Sequence, residues 1–252
     1  MLIPGMSGGT MAMILGVYDR ILSAISDFRQ DIKGNTVFLL VFIAGMGVGL
    51  GVFARFVYVL FQRYQLPMIY LFMGGILGCI PMLFRKGGVK DICIMDMIWL
   101  LLGFLCVTSI SGLPAGNLLS QAVYNPLSFL ILMAIGAVIS MAFILPGLDI
   151  TYILLLLGVY DLTMRAVSDF NLLFWIPVTL GAAFGSIIVA KTIERAIAKY
   201  HEATYMLLAG FVLGSIFAII PRLPTGIDIV HCVATFIAGF VAVKLILRYT
   251  EQ

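Results

Sequence analysis

Charge is what this sequence has least of. Charged residues make up 11% of the 252, apolar residues 62%, and mean hydropathy is +1.15. Soluble domains carry about a quarter charged residues, so a water-soluble fold is excluded and a polytopic membrane protein is expected. The net charge of +3 does not point to nucleic acid, because Lys and Arg sit in short loops between apolar runs and form no basic stripe. Histidine is nearly absent: His201 and His231 stand alone, which argues against a metal site. The four cysteines, Cys79, Cys93, Cys106 and Cys232, lack metal or redox spacing and lie in or beside apolar runs, the pattern of buried inert thiols. No Ser/His/Asp arrangement, HExxH, Walker sequence or acidic-plus-histidine phosphatase signature is present. An enzyme is therefore not expected, nor is a cofactor. No basic n-region with a small-residue cleavage site precedes the apolar segments, so they are expected to remain in the mature chain.

Six apolar runs are long enough to cross a bilayer, which takes about 20 residues: roughly 36–60, 66–84, 92–110, 172–190, 203–220 and 229–247. Two more, Met1–Ala24 and Leu127–Val167, are interrupted. They match each other at an offset of 142, pairing Pro4 with Pro146, Gly5 with Gly147, "LGVYD" at 15–19 with "LGVYD" at 157–161, and "SDF" at 26–28 with "SDF" at 168–170. The match continues at an offset of 136. Gly45 and Gly49 then meet Gly181 and Gly185, Arg55 meets Lys191, and Gly74 and Gly78 meet Gly210 and Gly214. The chain reads as a duplication of one broken element plus three spans. A first repeat covers 1–110, an external connector 111–125 and a second repeat 126–252. Each Gly-x-x-x-Gly pair is expected to form a close-packing helix face.

The distribution of positive charge sets the topology. If both broken elements re-enter the face they came from, one side receives every Lys and Arg except Arg55, Arg63, Arg165 and Arg222. A single crossing by the second element would largely erase that bias. The positive-inside rule thus favours re-entrant hairpins, a cytoplasmic C-terminus and, with three spans per half, inverted repeats. The expected fold is an all-α polytopic membrane protein with inverted-topology repeats, each a re-entrant helical hairpin plus three transmembrane helices. Arg55 and Lys191 would then lie near opposite faces. They either snorkel to the interface or recruit negative charge, each on its own side.

Non-helical backbone at membrane depth survives only where protein or a water-filled cavity satisfies its polar groups. Pro4-Gly5 and Pro146-Gly147 each end one arm. The next helix begins at Ser7 or Thr10 in the first half and at Asp149 or Thr151 in the second, all N-cap residue types. Each hairpin would aim free amides and a partial positive charge at the membrane centre, with Gly8 and Gly9 letting an anion approach the backbone. Close helix packing is the other reading of those glycines. Asp149 breaks the duplication, since its counterpart is Ser7. An acid at that depth either carries a coupling proton or caps its helix.

"IPGMSGGTMAMILGVYD" and its echo "LPGLDITYILLLLGVYD" resemble the PopT family of polyprenyl-phosphate translocases along nearly the whole chain. The resemblance implies return of undecaprenyl phosphate from the outer to the cytoplasmic leaflet of the bacterial cytoplasmic membrane. It also implies that Pro4, Gly5, Ser7, Gly8, Gly9 and Thr10 form the first hairpin's substrate site, and Pro146, Gly147 and Thr151 the second's. Two departures stand out. The family's second hairpin usually repeats Ser-Gly-Ser where this chain has Asp149-Ile150-Thr151, and the family's acidic residue three positions before the first proline is replaced by Met1. The second half has an upstream arm at 127–145, whereas the first reads as shortened by one arm. The expected partners are membrane lipids, undecaprenyl phosphate, a coupling proton or cation and, in a homo-oligomer, further copies of the chain. A carrier of a small phosphate-like or organic anion is the alternative within transport, and a lipid-phosphate-modifying enzyme the alternative outside it.

Overall fold

The computed structural model describes residues 8–28, 30–89, 93–112, 128–169, 171–219 and 228–250, and every regular element among them is a helix. In chain order these are α1 (Gly8–Ile14), α2 (Tyr18–Ser26), α3 (Ile32–Arg63), α4 (Gln65–Lys86), α5 (Ile94–Ser111), α6 (Ser128–Ile144), α7 (Ile150–Leu157), α8 (Tyr160–Ser168), α9 (Leu172–Lys199), α10 (His201–Ile219) and α11 (Asp228–Thr250). Each of the six apolar runs is represented by one helix: α3, α4, α5, α9, α10 or α11. Four of these, α3, α4, α9 and α11, are long and apolar enough to span a bilayer, and α5, α6 and α10 are shorter apolar helices. The chain is a multi-pass membrane protein. The connector read at 111–125 lies almost wholly outside the described residues.

The duplicated pentapeptide folds twice into one turn. Gly16 and Gly158 adopt φ values of 70° and 71°, a left-handed conformation open to glycine because it lacks a Cβ. In the first copy Gly16 N–H donates to Met13 and Val17 N–H to Ala12; in the second Gly158 N–H donates to Leu155 and Val159 N–H to Leu154. This is the paired helix-ending pattern that satisfies the last carbonyls of a helix. It stops α1 and α7 after two turns. With 8 residues, α7 is about 12 Å long, far short of a ~30 Å hydrocarbon core.

Lipid is as apolar as leucine, so close backbone approach, not apolar burial, drives helix pairing in a membrane. Among the described residues three extensive pairs form, and each is sealed by reciprocal glycines. A Cβ on Gly74 of α4 would collide with the Phe236 carbonyl of α11, and one on Gly239 with the Leu71 carbonyl of α4. Gly103 of α5 lies against the Leu207 carbonyl of α10, and Gly210 against that of Leu100. Gly136 of α6 meets the Val178 carbonyl of α9, and Gly181 meets that of Met133.

Gly45 and Gly49 depart from the expected packing role: a Cβ at either position would have no atom within 4 Å. The apolar window of α3 is only 6% buried, against 50% for α4, because α3 touches α2 and α4 only marginally. A spacing pattern records a face able to pack, and here that face has no neighbour among the described residues. The cysteine reading is corrected in part. Cys79 and Cys232 are buried, but Cys93 and Cys106 are exposed, because they lie on the outer surface of α5 and its start.

Candidate functional site

Gly8–Thr10 of the first motif and the Pro146–Gly147 turn of the second, far apart in sequence, meet in the interior. α6 ends at Ile144, and the chain turns through Pro146 and Gly147, the latter at φ 84°. Gly147 N–H has left the helical ladder and donates to Thr10 Oγ1 at 3.1 Å. Thr10 is completely buried, and Pro146 is among the most deeply buried side chains. A Cβ on Gly147 would strike the Phe211 carbonyl of α10, so this turn is wedged against a second helix as well.

On the other side of the contact, the start of α1 presses into the end of α6. A Cβ on Gly9 would stand 2.6 Å from the Ile144 carbonyl oxygen, and one on Gly8 would stand 3.0 Å from Phe143 Cε2. Both glycines thus serve close packing between the motifs. Asp149 is 9% exposed and is the N-cap of α7; its Oδ1 accepts from Thr151 N–H at 2.9 Å. Such a bond satisfies one of the first amides of a helix, which have no partner inside it. The structure therefore brings together Gly8, Gly9, Thr10, Pro146 and Gly147, with Asp149 and Thr151 on the adjoining turn. Pro4, Gly5 and Ser7 lie outside the described residues. Arg55 and Lys191 are exposed on α3 and α9 and do not join the buried contact.

Sequence reading missed the surround. Phe143, Ile144 and Phe211 shape the contact but carry no polar signature. Tyr18, in the first "LGVYD", is 4% exposed, and its hydroxyl is buried without a hydrogen-bond partner. It lies in the wall of an apolar cleft of ≈ 390 Å³ that reaches Gly8 and Gly9. The next residue, Asp19, anchors α2: Lys86 of α4 pairs with it, and Tyr205 OH of α10 donates to its Oδ1 at 3.2 Å. The repeat marked both positions without indicating their contacts. Among the described residues, no group of three His, Cys, Asp or Glu could hold a metal ion.

The start of α1 meeting the Pro146–Gly147 turn at a buried point, inside a bundle of long apolar helices, defines an integral membrane protein of internally duplicated sequence. The chain belongs to the undecaprenyl phosphate translocase-like family, whose sequence profile matches residues 1–232. It is 29% identical over 265 aligned residues to the polyprenyl-phosphate transporter of Staphylococcus aureus (strain NCTC 8325 / PS 47), an alignment covering 100% of this chain and 93% of that protein. It is 27% identical over 233 residues to the polyprenyl-phosphate transporter of Vibrio cholerae serotype O1 (strain ATCC 39315 / El Tor Inaba N16961), covering 87% and 73% respectively. No solved structure matches the chain.

Proposed function

We propose that the protein is a transporter that carries undecaprenyl phosphate from the outer to the cytoplasmic leaflet of the bacterial cytoplasmic membrane, returning the carrier lipid for envelope synthesis. The observation that carries this reading is the contact of the two motifs, Gly147 N–H to Thr10 Oγ1, deep in a membrane bundle. Broken backbone of this kind persists in a membrane where protein or a cavity satisfies its polar groups, and such breaks line the substrate sites of secondary transporters. The names of the family and of both relatives specify a lipid phosphate.

On this reading each half is a re-entrant hairpin followed by three spans, the halves are inverted, and the C-terminus is cytoplasmic. The phosphate head passes the motif contact, where the amides and hydroxyls of Pro4–Thr10 and Pro146–Thr151 replace its water. The isoprenoid tail stays in lipid throughout. Carrying the bare charge through hydrocarbon would be prohibitive, so supplying those polar groups is the protein's main task. Arg55 and Lys191 gather the anion at opposite faces. No bond is made or broken, so the protein acts as a carrier and not as an enzyme.

The test is leaflet-resolved measurement of labelled undecaprenyl phosphate in liposomes that hold the purified protein, with inorganic phosphate as competitor. Translocation above protein-free liposomes and insensitive to phosphate is expected. No acceleration would overturn the reading, and uptake of inorganic phosphate itself would replace it with a small-anion carrier.

A further inference from the structure

Helix packing divides the described residues into two groups. α2 and α6 both lie against α9, while α4 lies along α11 and α10, and α10 along α5. Among the described residues, α2 and α6 have no extended packing against α4, α5, α10 or α11. The seam between the groups is apolar, with Ile144 and Leu145 on one side and Phe211 and Val212 on the other in one cluster. The bond from Gly147 N–H to Thr10 lies on that seam, since Gly147 also abuts the Phe211 carbonyl. In this state the contact is shut: Thr10 is fully buried and the Gly147 amide is already engaged. A phosphate head reaches these groups only after the motifs part, and α1, which touches α4, α6 and α11, has to move for that.

The movement of α1 is tied to α2. The Gly16 turn joins the two helices, and Met13, Tyr18 and Leu22 share one buried cluster. α2 rides on α9, yet one of its side chains reaches across the seam. Asp19 pairs with Lys86 at the end of α4, and its Oδ1 accepts from Tyr205 OH of α10 at 3.2 Å. The far side of this clasp is braced. His201 Nε2 donates to the Lys86 carbonyl at 2.7 Å, and a Cβ on Gly87 would stand 3.0 Å from Tyr205 Cβ. The Lys86 and Asp19 side chains are 30% and 46% exposed, so water can replace each partner when they separate. Tyr205 aligns with Ile69, so the second half has no hydroxyl at the matching place.

We propose that Asp19 is a positioning residue for transport. Clasped by Lys86 and Tyr205, it holds the α2–α6–α9 group against the α4–α5–α10–α11 group with the motif contact shut. Release of the clasp lets α1 withdraw and opens the contact to the phosphate head. The proposal rests on the transporter reading and names the groups that regulate its site. A partly exposed ion pair is a weak tie, so the clasp biases the shut state without locking it, as a carrier that must open in every cycle requires.

Opening is measured first without any substrate, by hydrogen–deuterium exchange of the full chain in nanodiscs. Asp19→Asn and Tyr205→Phe should each speed exchange of the α1 amides and of Gly147 about two- to fivefold, the scale of one partly exposed polar tie. The glycine-sealed α4–α11 pair should keep the parent rate. Transport is then measured in liposomes with labelled undecaprenyl phosphate. A carrier whose competent state is more populated binds with a lower apparent constant, so KM should fall by the same factor, whereas a fold defect would lower the maximal rate alone. The exchanged pair, Asp19→Lys with Lys86→Asp, should return both readouts toward the parent. Unchanged α1 exchange would overturn the proposal, as would acceleration spread evenly through α4 and α11, which would make the clasp a folding contact. Local acceleration with KM unmoved would overturn its role in transport. Local acceleration in a protein that, like its parent, translocates no undecaprenyl phosphate would keep the clasp and overturn the transporter reading instead.

Discussion

Replacing Thr10 by Val tests the tie between the motifs with little change of shape. Val keeps the β-branched volume of Thr and removes the oxygen that accepts from Gly147 N–H at 3.1 Å. Thr10 is 0% exposed, so water cannot substitute. Interhelical hydrogen bonds in membrane proteins average about 0.6 kcal/mol and reach about 1.7, while stranding a buried donor costs about 1–3 kcal/mol. Taking the acceptor out of this buried turn should cause a loss where those ranges meet, at about 1–2 kcal/mol. For a chain of this length each kcal/mol moves Tm by about 2–4 °C, and a drop of about 2–8 °C is expected for Thr10→Val. Thr10→Ser retains the acceptor and sheds one methyl group, a loss of about 0.8 kcal/mol, and should fall less. The assay is thermal unfolding of the purified protein in one detergent, followed by tryptophan fluorescence. A Thr10→Val protein as stable as the parent, or more stable than Thr10→Ser, would refute the reasoning.

Other substitutions separate roles that the sequence leaves merged. Gly181→Val forces a side chain into the Met133 carbonyl and should abolish a folded monomer in size-exclusion chromatography, whereas Gly45→Val meets no atom and should leave Tm within about 1 °C of the parent. Asp149→Ala removes the α7 cap and should cost about 1 kcal/mol of stability, while Asp149→Asn keeps a capping oxygen and should be near neutral. In liposomes Asp149→Asn should bind undecaprenyl phosphate yet lose any response of initial rate to an imposed pH gradient; an unchanged response would reduce Asp149 to a helix cap. Reporters fused after Lys33, Arg85 and Arg195 should read cytoplasm and one after Gly116 outside, and opposite readings at 85 and 195 would refute inverted halves.

What could be read in advance was local. Gly16 and Gly158 take nearly identical φ values because the turn is specified within five residues, and the pentapeptide occurs twice. The capping role of Asp149 follows from its type and its place before a helix. Apolar length alone located the long helices, four of them long enough to span a bilayer. Contacts between distant segments were not legible in this way. The Thr10–Gly147 bond joins residues 137 positions apart, and no local pattern encodes which hydroxyl will meet which amide. Glycine spacing was ambiguous for a related reason: Gly45/Gly49 and Gly181/Gly185 look alike in sequence, yet only the second pair faces a neighbouring helix.

The duplication is faithful in the scaffold and diverges at the motifs, and the geometry supplies a reason. The glycines that seal the α4–α11 and α5–α10 pairs and the turn pentapeptide match between halves, but Gly8, Gly9 and Thr10 align with Ile150, Thr151 and Tyr152. The two motifs converge on one buried point. If both were bulky they would collide there, and if both were minimal the contact would be left unfilled. The first motif is small, and this allows Phe143 and the Ile144 carbonyl of the second to close against it. Thr10, the residue after the glycine pair, then meets the amide that the second motif's proline turn has released. The counterpart position, Tyr152, cannot offer a short hydroxyl of that kind. Each half thus supplies what the other lacks, and a motif transplanted unchanged from one half to the other would lose both the fit and the hydrogen bond.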